Sequence, residues 1–158
     1  MNFNNFTIKS QEAVQEAVNL VQSRGQQAIE PEHLMAGLLK VGENVTNFIF
    51  QKLGINGQQI ETVLDRQIAS LPKVSGGEAY LSRSANEVLQ KAVEVSKELG
   101  DEYVSLEALL LALLNVKSTV ATILKDAALP TRNCGLPFRN CVRDRKSPHS
   151  RVKIPISH

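Results

Sequence analysis

A chain of 158 residues, 42% of them hydrophobic, is long enough to bury one core and is the length of a single domain. Its formal charge of +2 conceals two unlike regions: residues 1–128 carry 11 Lys and Arg against 15 Asp and Glu, whereas residues 129–158 carry 7 against one. The acidic body lacks the clustered cations a nucleic-acid backbone requires, and no stretch approaches the ~18 apolar residues of a membrane span, so neither partner is expected.

The opening "MNFNNFTIKSQ" has neither a basic head nor an apolar run, unlike a signal peptide. Both cysteines, Cys134 and Cys141, lie in the last thirty residues. A body without thiols suits a reducing compartment, and a soluble cytoplasmic protein is expected. Val14, Ala17, Val18 and Val21 recur at helical spacing and predict a helix over 8–23. Thr7 is placed to cap it, Phe6 to act as its hydrophobic staple, and Gly25 to end it. In "EPEHLMAGLLK", Pro31 falls at a first helical turn, where its missing N–H costs nothing. A third helix over about 45–53 ends at Gly54, and a fourth over about 58–69 carries Ile60, Val63, Leu64 and Ile68 on one face.

Periodicity then stops. "LPKVSGGEAY", with Pro72 and the Gly76-Gly77 pair, reads as a linker. Helix 84–99 follows and ends at Gly100; Ser105 caps a helix over 106–114, and a shorter one covers 118–127. Laid without gaps on residues 81–114, residues 6–39 give nine identities in 34 positions, including Ala17/Ala92, Gly25/Gly100, Glu32/Glu107 and Leu38/Leu113. A fixed internal period indicates one supersecondary unit used twice. No segment shows the period-two alternation of a strand. The expected fold is all-α: two pseudo-symmetric helical repeats in one compact domain over 1–128, followed by an unstructured tail. Repeat one covers about 6–71, a linker 72–80, and repeat two about 81–128.

This layout, with "IEPEHLMAGLL" and "GDEYVSLEALLLALL" at matching places, closely resembles the amino-terminal (Clp repeat) domain of Clp-family AAA-plus proteins, ClpB-type disaggregases above all. The likeness covers residues 1 to about 128. It implies a substrate-recognition domain that binds misfolded or aggregated polypeptide and performs no catalysis itself. In such a protein, ATP and magnesium serve ATPase modules outside this chain, which itself would hold no cofactor or metal. The same resemblance implies a hexameric ring and a co-chaperone as partners of the full-length protein. An alternative within it is the adaptor-docking domain of a protease-associated Clp unfoldase. A free-standing enzyme of unknown type belongs to a different class, testable by an ATPase assay.

Carried over position by position, the resemblance places Thr7, Asp101 and Glu107 on a substrate-contact surface, beside an apolar groove whose counterparts are Leu89 and Val95. Lys91 and Ala108 stand where some relatives have leucine. The residues themselves leave plainer roles open. Thr7 is first an N-cap. Glu107 lies in a first helical turn, where the macrodipole favours a carboxylate by ~0.3–1 kcal/mol, and Glu32 holds the same place in repeat one. Asp101 follows Gly100 in a turn and has no such role. Val88, Ala92, Val95 and Leu99 form a second apolar stripe beside Leu89, Val93 and Ser96, so this helix either lies between two neighbours or leaves one side for a ligand.

Catalytic signatures are absent. No G-x-x-x-x-G-K-[ST] occurs, so no phosphate-cradling loop is expected. His33 sits beside Leu34, consistent with a core-edge or surface position. Cys134 and Cys141 lack the tight C-x(2–4)-C spacing of zinc sites. From Thr131 the helical period vanishes, and "RNC" occurs twice. Back-translated as ACA AGG AAT TGC GG, Thr131–Gly135 yields Lys-Glu-Leu-Arg when read from the last base of the first codon, and "FRNCV" yields Gln-Glu-Leu-Arg in the same way. Residues 129–158 therefore read as an out-of-frame linker, expected to be disordered, the alternative being a native basic tail that binds nucleic acid.

Overall fold

The computed structural model describes residues 3–74 and 77–127. The expectations for the tail over 129–158, its two cysteines included, lie outside the described residues. Seven helices are described: α1 (Ile8–Ser23), α2 (Pro31–Val41), α3 (Glu43–Leu53), α4 (Gly57–Ala69), α5 (Arg83–Glu98), α6 (Leu106–Asn115) and α7 (Thr119–Ala127).

Local chemistry accounts for most helix ends. Thr7 caps α1 by accepting from the Ser10 N–H at 3.1 Å, and Ser82 caps α5 by accepting from Ala85 at 3.0 Å. Ser105 does the same for α6, and Asn56 for α4. Pro31 is the first residue of α2. Both long helices stop in the same hydrogen-bonded pattern. Gly25 and Gly100 take φ of +69° and +77°. Their N–H groups donate to Gln22 and Lys97, and the following N–H groups reach back to Val21 and Ser96. That is a Schellman motif, which favours glycine because the left-handed conformation burdens a residue with a Cβ.

The repeat predicted from the sequence is present in three dimensions: α1, α2 and α3 recur as α5, α6 and α7 at a nearly constant offset. The core joins both halves, with Ala13, Ala17, Leu34 and Leu38 of repeat one and Leu89, Ala92, Leu109 and Leu113 of repeat two in one buried cluster. α1 lies closest to α2, where Gly37 packs on the Ala13 backbone with no room for a Cβ. Apolar residues every third or fourth position supply the faces that make this packing favourable.

The fold is all-α as expected, and three local details differ. Short strands do occur: β1 (Ala28–Ile29) pairs in parallel with β2 (Tyr80–Leu81), and Phe6 forms an isolated bridge with Val104. Two-residue pairings are too short to leave a period in the sequence. The 72–80 segment is docked as well as connecting, since Val74 donates to the Gly25 carbonyl at 3.0 Å and Tyr80 to Gln27 at 3.1 Å. Phe6 does not staple α1, whose fourth position is the polar Gln11. It is buried in an edge-to-face contact with Phe3, with ring centroids 5.1 Å apart.

Candidate functional site

The first element of each repeat is completed by the other repeat. The Thr7 N–H donates to the Val104 carbonyl at 3.0 Å, and the Val104 N–H donates to the Asn5 carbonyl at 2.8 Å. At the equivalent place Ser82 donates to Ile29 at 3.0 Å. The Phe6–Val104 junction brings residues before α1 against the loop that leads from α5 to α6. Val104 lies midway in sequence between Asp101 and Glu107, so Thr7 is joined to the segment that carries both acids.

Each polar residue is held by local structure. The Thr7 hydroxyl caps α1 and donates to Ser10 Oγ at 3.0 Å, which leaves it one acceptor lone pair. Asp101 is half-buried, and its N–H closes the Schellman motif on the Ser96 carbonyl at 2.8 Å. Glu107 stands in the first turn of α6 and is only 8% exposed. Its counterpart Glu32 is buried in the first turn of α2, where loss of water raises its carboxyl pKa above the ordinary value.

Leu89 and Val95 are both 0% exposed. The expectation that they line an open groove is therefore corrected: α5 packs against α6 on one side and also meets α2, which closes Leu89 and Val95 into the core and leaves Val93 and Leu99 partly buried against it. Lys91, by contrast, is partly exposed in an ion pair with Glu94 at 3.5 Å.

Two residues passed over in the sequence adjoin the junction instead. Ile8, next after Thr7, is 73% exposed, and Tyr103, just before Val104, is 50% exposed. Exposed apolar side chains mark contact surfaces where they form a contiguous patch rimmed by polar residues. Here the loop supplies Asp101 and exposed Glu102. A signal existed for each, since Ile8 lies off the apolar stripe of α1 and Tyr103 is an aromatic in a polar turn. The equivalent junction differs in chemistry, with Arg83 in the place of Ile8 and Gln26 in that of Asp101.

His33 is fully buried, which corrects the expected core-edge or surface position. Its Nδ1 accepts from the Glu30 N–H at 2.9 Å, so Nε2 carries the proton and donates to Gln26 Oε1 at 2.7 Å. Gln26 passes the chain on, donating to the Ile68 carbonyl at 2.7 Å. Burial, aided by the Arg24 charge, lowers the His33 pKa to about 4. This network ties the start of α2 to the end of α4. Among the described residues, no three His, Cys, Asp or Glu side chains converge as metal ligands, and no single helix is long and apolar enough to cross a membrane.

Comparison with known proteins agrees with the fold. The Clp repeat (R) N-terminal domain family matches residues 5–127. The chain is similar to the chaperone protein ClpB of Bacteroides thetaiotaomicron, with 72% identity over 144 residues, covering 91% of this chain and 16% of that protein. It thus spans about a sixth of that relative's length. Among solved structures, the Hsp104 N-terminal domain from Candida albicans matches with a TM-score of 0.77 at 19% identity, covering 91% of this chain and 93% of that one. A ClpV N-domain in complex with a VipB peptide matches with a TM-score of 0.72 at 17% identity, covering 94% and 89%. Likeness at such identity speaks for the fold alone. The shared helical repeats and the family match over residues 5–127 together show that the chain belongs to the Clp repeat (R) N-terminal domain family, as the ClpB-type resemblance in its sequence implied.

Proposed function

We propose that this chain is a polypeptide-recognition domain whose contact surface is the Phe6–Val104 junction. One observation carries the proposal: Ile8 and Tyr103 are held exposed on either side of a hydrogen-bonded backbone junction, beside Thr7, Asp101, Glu102 and Glu107. Apolar side chains of an unfolded segment would rest on Ile8 and Tyr103, and the carboxylates would attract its lysines and arginines. The ClpB relatives are chaperones by name, which supports misfolded or aggregated polypeptide as the ligand class. In the full-length protein, the ATPase ring and co-chaperone would act on what this domain gathers. Ordering a flexible partner consumes much of the contact energy, so micromolar or weaker binding is expected.

A second reading is docking of a defined adaptor or partner segment. The ClpV N-domain solved with a VipB peptide favours it. Fluorescence anisotropy with a permanently unfolded, labelled model protein tests the first reading. Ile8→Ser with Tyr103→Ser should weaken binding at least about fivefold, the loss of one or two modest apolar contacts, without lowering the melting temperature. Parental binding by that double variant would place the surface elsewhere.

A further inference from the structure

A second candidate surface lies along the same helix. α1, α2 and α4, with Glu43 at the start of α3, enclose an open groove of about 770 Å³, a volume typical of ligand-sized clefts. It begins at Glu16, about 13 Å along α1 from Thr7 at 1.5 Å per residue, and continues to Arg24 at the helix end. Its apolar lining comes from Leu20, Leu39 and Leu64. Leu20 and Leu39 are only partly buried, although each packs against the core.

The rim is acidic. Glu16, Glu43, Glu61 and Asp65 face it, against Arg24 and Lys40. Both cations are engaged, Arg24 with Asp65 and Lys40 with Glu16 at 3.1 Å. Among the described residues, Glu43 and Glu61 enter no ion pair, so two carboxylates on the rim remain uncompensated. The Lys40 side chain is largely exposed, and ion pairs of this kind hold weakly, so a ligand can open them at little cost.

We propose that this groove docks a short amphipathic segment of a partner protein, with leucine-like side chains on one face flanked by lysine or arginine. The apolar lining takes the leucines, while Glu43 and Glu61 take the cations, a helix-in-groove mode of recognition. The occupant is basic because the rim has four carboxylates and two cations. The surface is separate from the Phe6–Val104 junction and does not depend on what that junction binds.

The test uses the full chain and two labelled twelve-residue peptides, both with leucines at helical spacing. One carries lysine and arginine on its polar face, and the other carries glutamate there. The basic peptide should bind and shift the amide resonances of Leu20, Ser23, Leu39 and Leu64, while the acidic one should not bind. Glu43→Lys with Glu61→Lys should weaken basic-peptide binding about tenfold at low salt and less at high salt. Ile8→Ser with Tyr103→Ser should leave the shifts of Leu20, Ser23, Leu39 and Leu64 unchanged. Binding that ignores the charge reversal, or shifts centred on Ile8 and Tyr103, would overturn the proposal. So would a peptide that shifts residues after Thr131 together with the groove, because the occupant would then be the chain's own basic end. A concentration-dependent dimer displaced by the peptide would make the occupant a second copy and overturn it equally.

Discussion

Thr7 and Val104 belong to different repeats, yet the N–H of the first donates to the carbonyl of the second at 3.0 Å. The equivalent bond, Ser82 to Ile29, runs in the opposite sense at the same length. Each half therefore supplies a piece of the other, and one buried cluster joins them. Leu38 and Leu113 are equivalent in the two repeats and fully buried. Truncating either to alanine should cost about 2–5 kcal/mol and lower one cooperative transition. Two melting steps, each sensitive to only one substitution, would show that the repeats fold independently.

Close approach of α1 and α2 depends on Gly37. A Cβ there would lie 2.2 Å from the Ala13 carbonyl oxygen, a backbone atom that can move only with its helix. Gly37→Ala should therefore destabilise by about 1–3 kcal/mol, despite the better helix propensity of alanine. The equivalent position in repeat two is already an alanine, Ala112. Urea titrations would measure the change, and an unaltered or raised midpoint would contradict the packing.

Acid should act through His33. Its folded pKa of about 4 lies below the ordinary 6.5, so between those values the unfolded chain binds more protons. Stability from this residue is complete above pH 6.5 and is lost as pH falls through 4, by about 3 kcal/mol in all. Burial of Glu32 works the other way: its raised pKa lets the folded state bind a proton more readily, offsetting part of the loss. His33→Gln keeps an acceptor for Glu30 and a donor for Gln26 without the titration. It should flatten the stability profile between pH 6.5 and 4, and a profile parallel to the parent's would assign the acid sensitivity to other groups.

Thr7 and Ser82 separate capping from binding. Each accepts a hydrogen bond from the N–H three residues on, so Thr7→Ala and Ser82→Ala should each cost ~0.5–2 kcal/mol. Only Thr7 adjoins Ile8 and Tyr103. Thr7→Ala should therefore also weaken binding of an unfolded protein, and Ser82→Ala should not. Equal binding by the two variants, measured by anisotropy alongside thermal melts, would reduce Thr7 to a cap.

By itself the sequence determined what acts over a few residues. The spacing of Val14, Ala17 and Val21 set α1, Thr7 and Ser105 set helix starts, and Gly25 and Gly100 set helix ends. The identities between 6–39 and 81–114 announced the duplication, because a repeated local pattern builds a repeated local structure. Tertiary structure alone decided what covers each face. The double apolar stripe of α5 left burial and a groove both open, and contact with α6 and α2 closed Leu89 and Val95 away. Nothing near Gln26 in the chain reveals that it bridges His33 to Ile68, 42 positions on. The exposure of Ile8 and Tyr103, and the acid-rimmed groove over α2, arise in the same way. Helix propensity and capping are settled within one or two turns of chain, whereas burial and exposure depend on side chains brought together from distant positions.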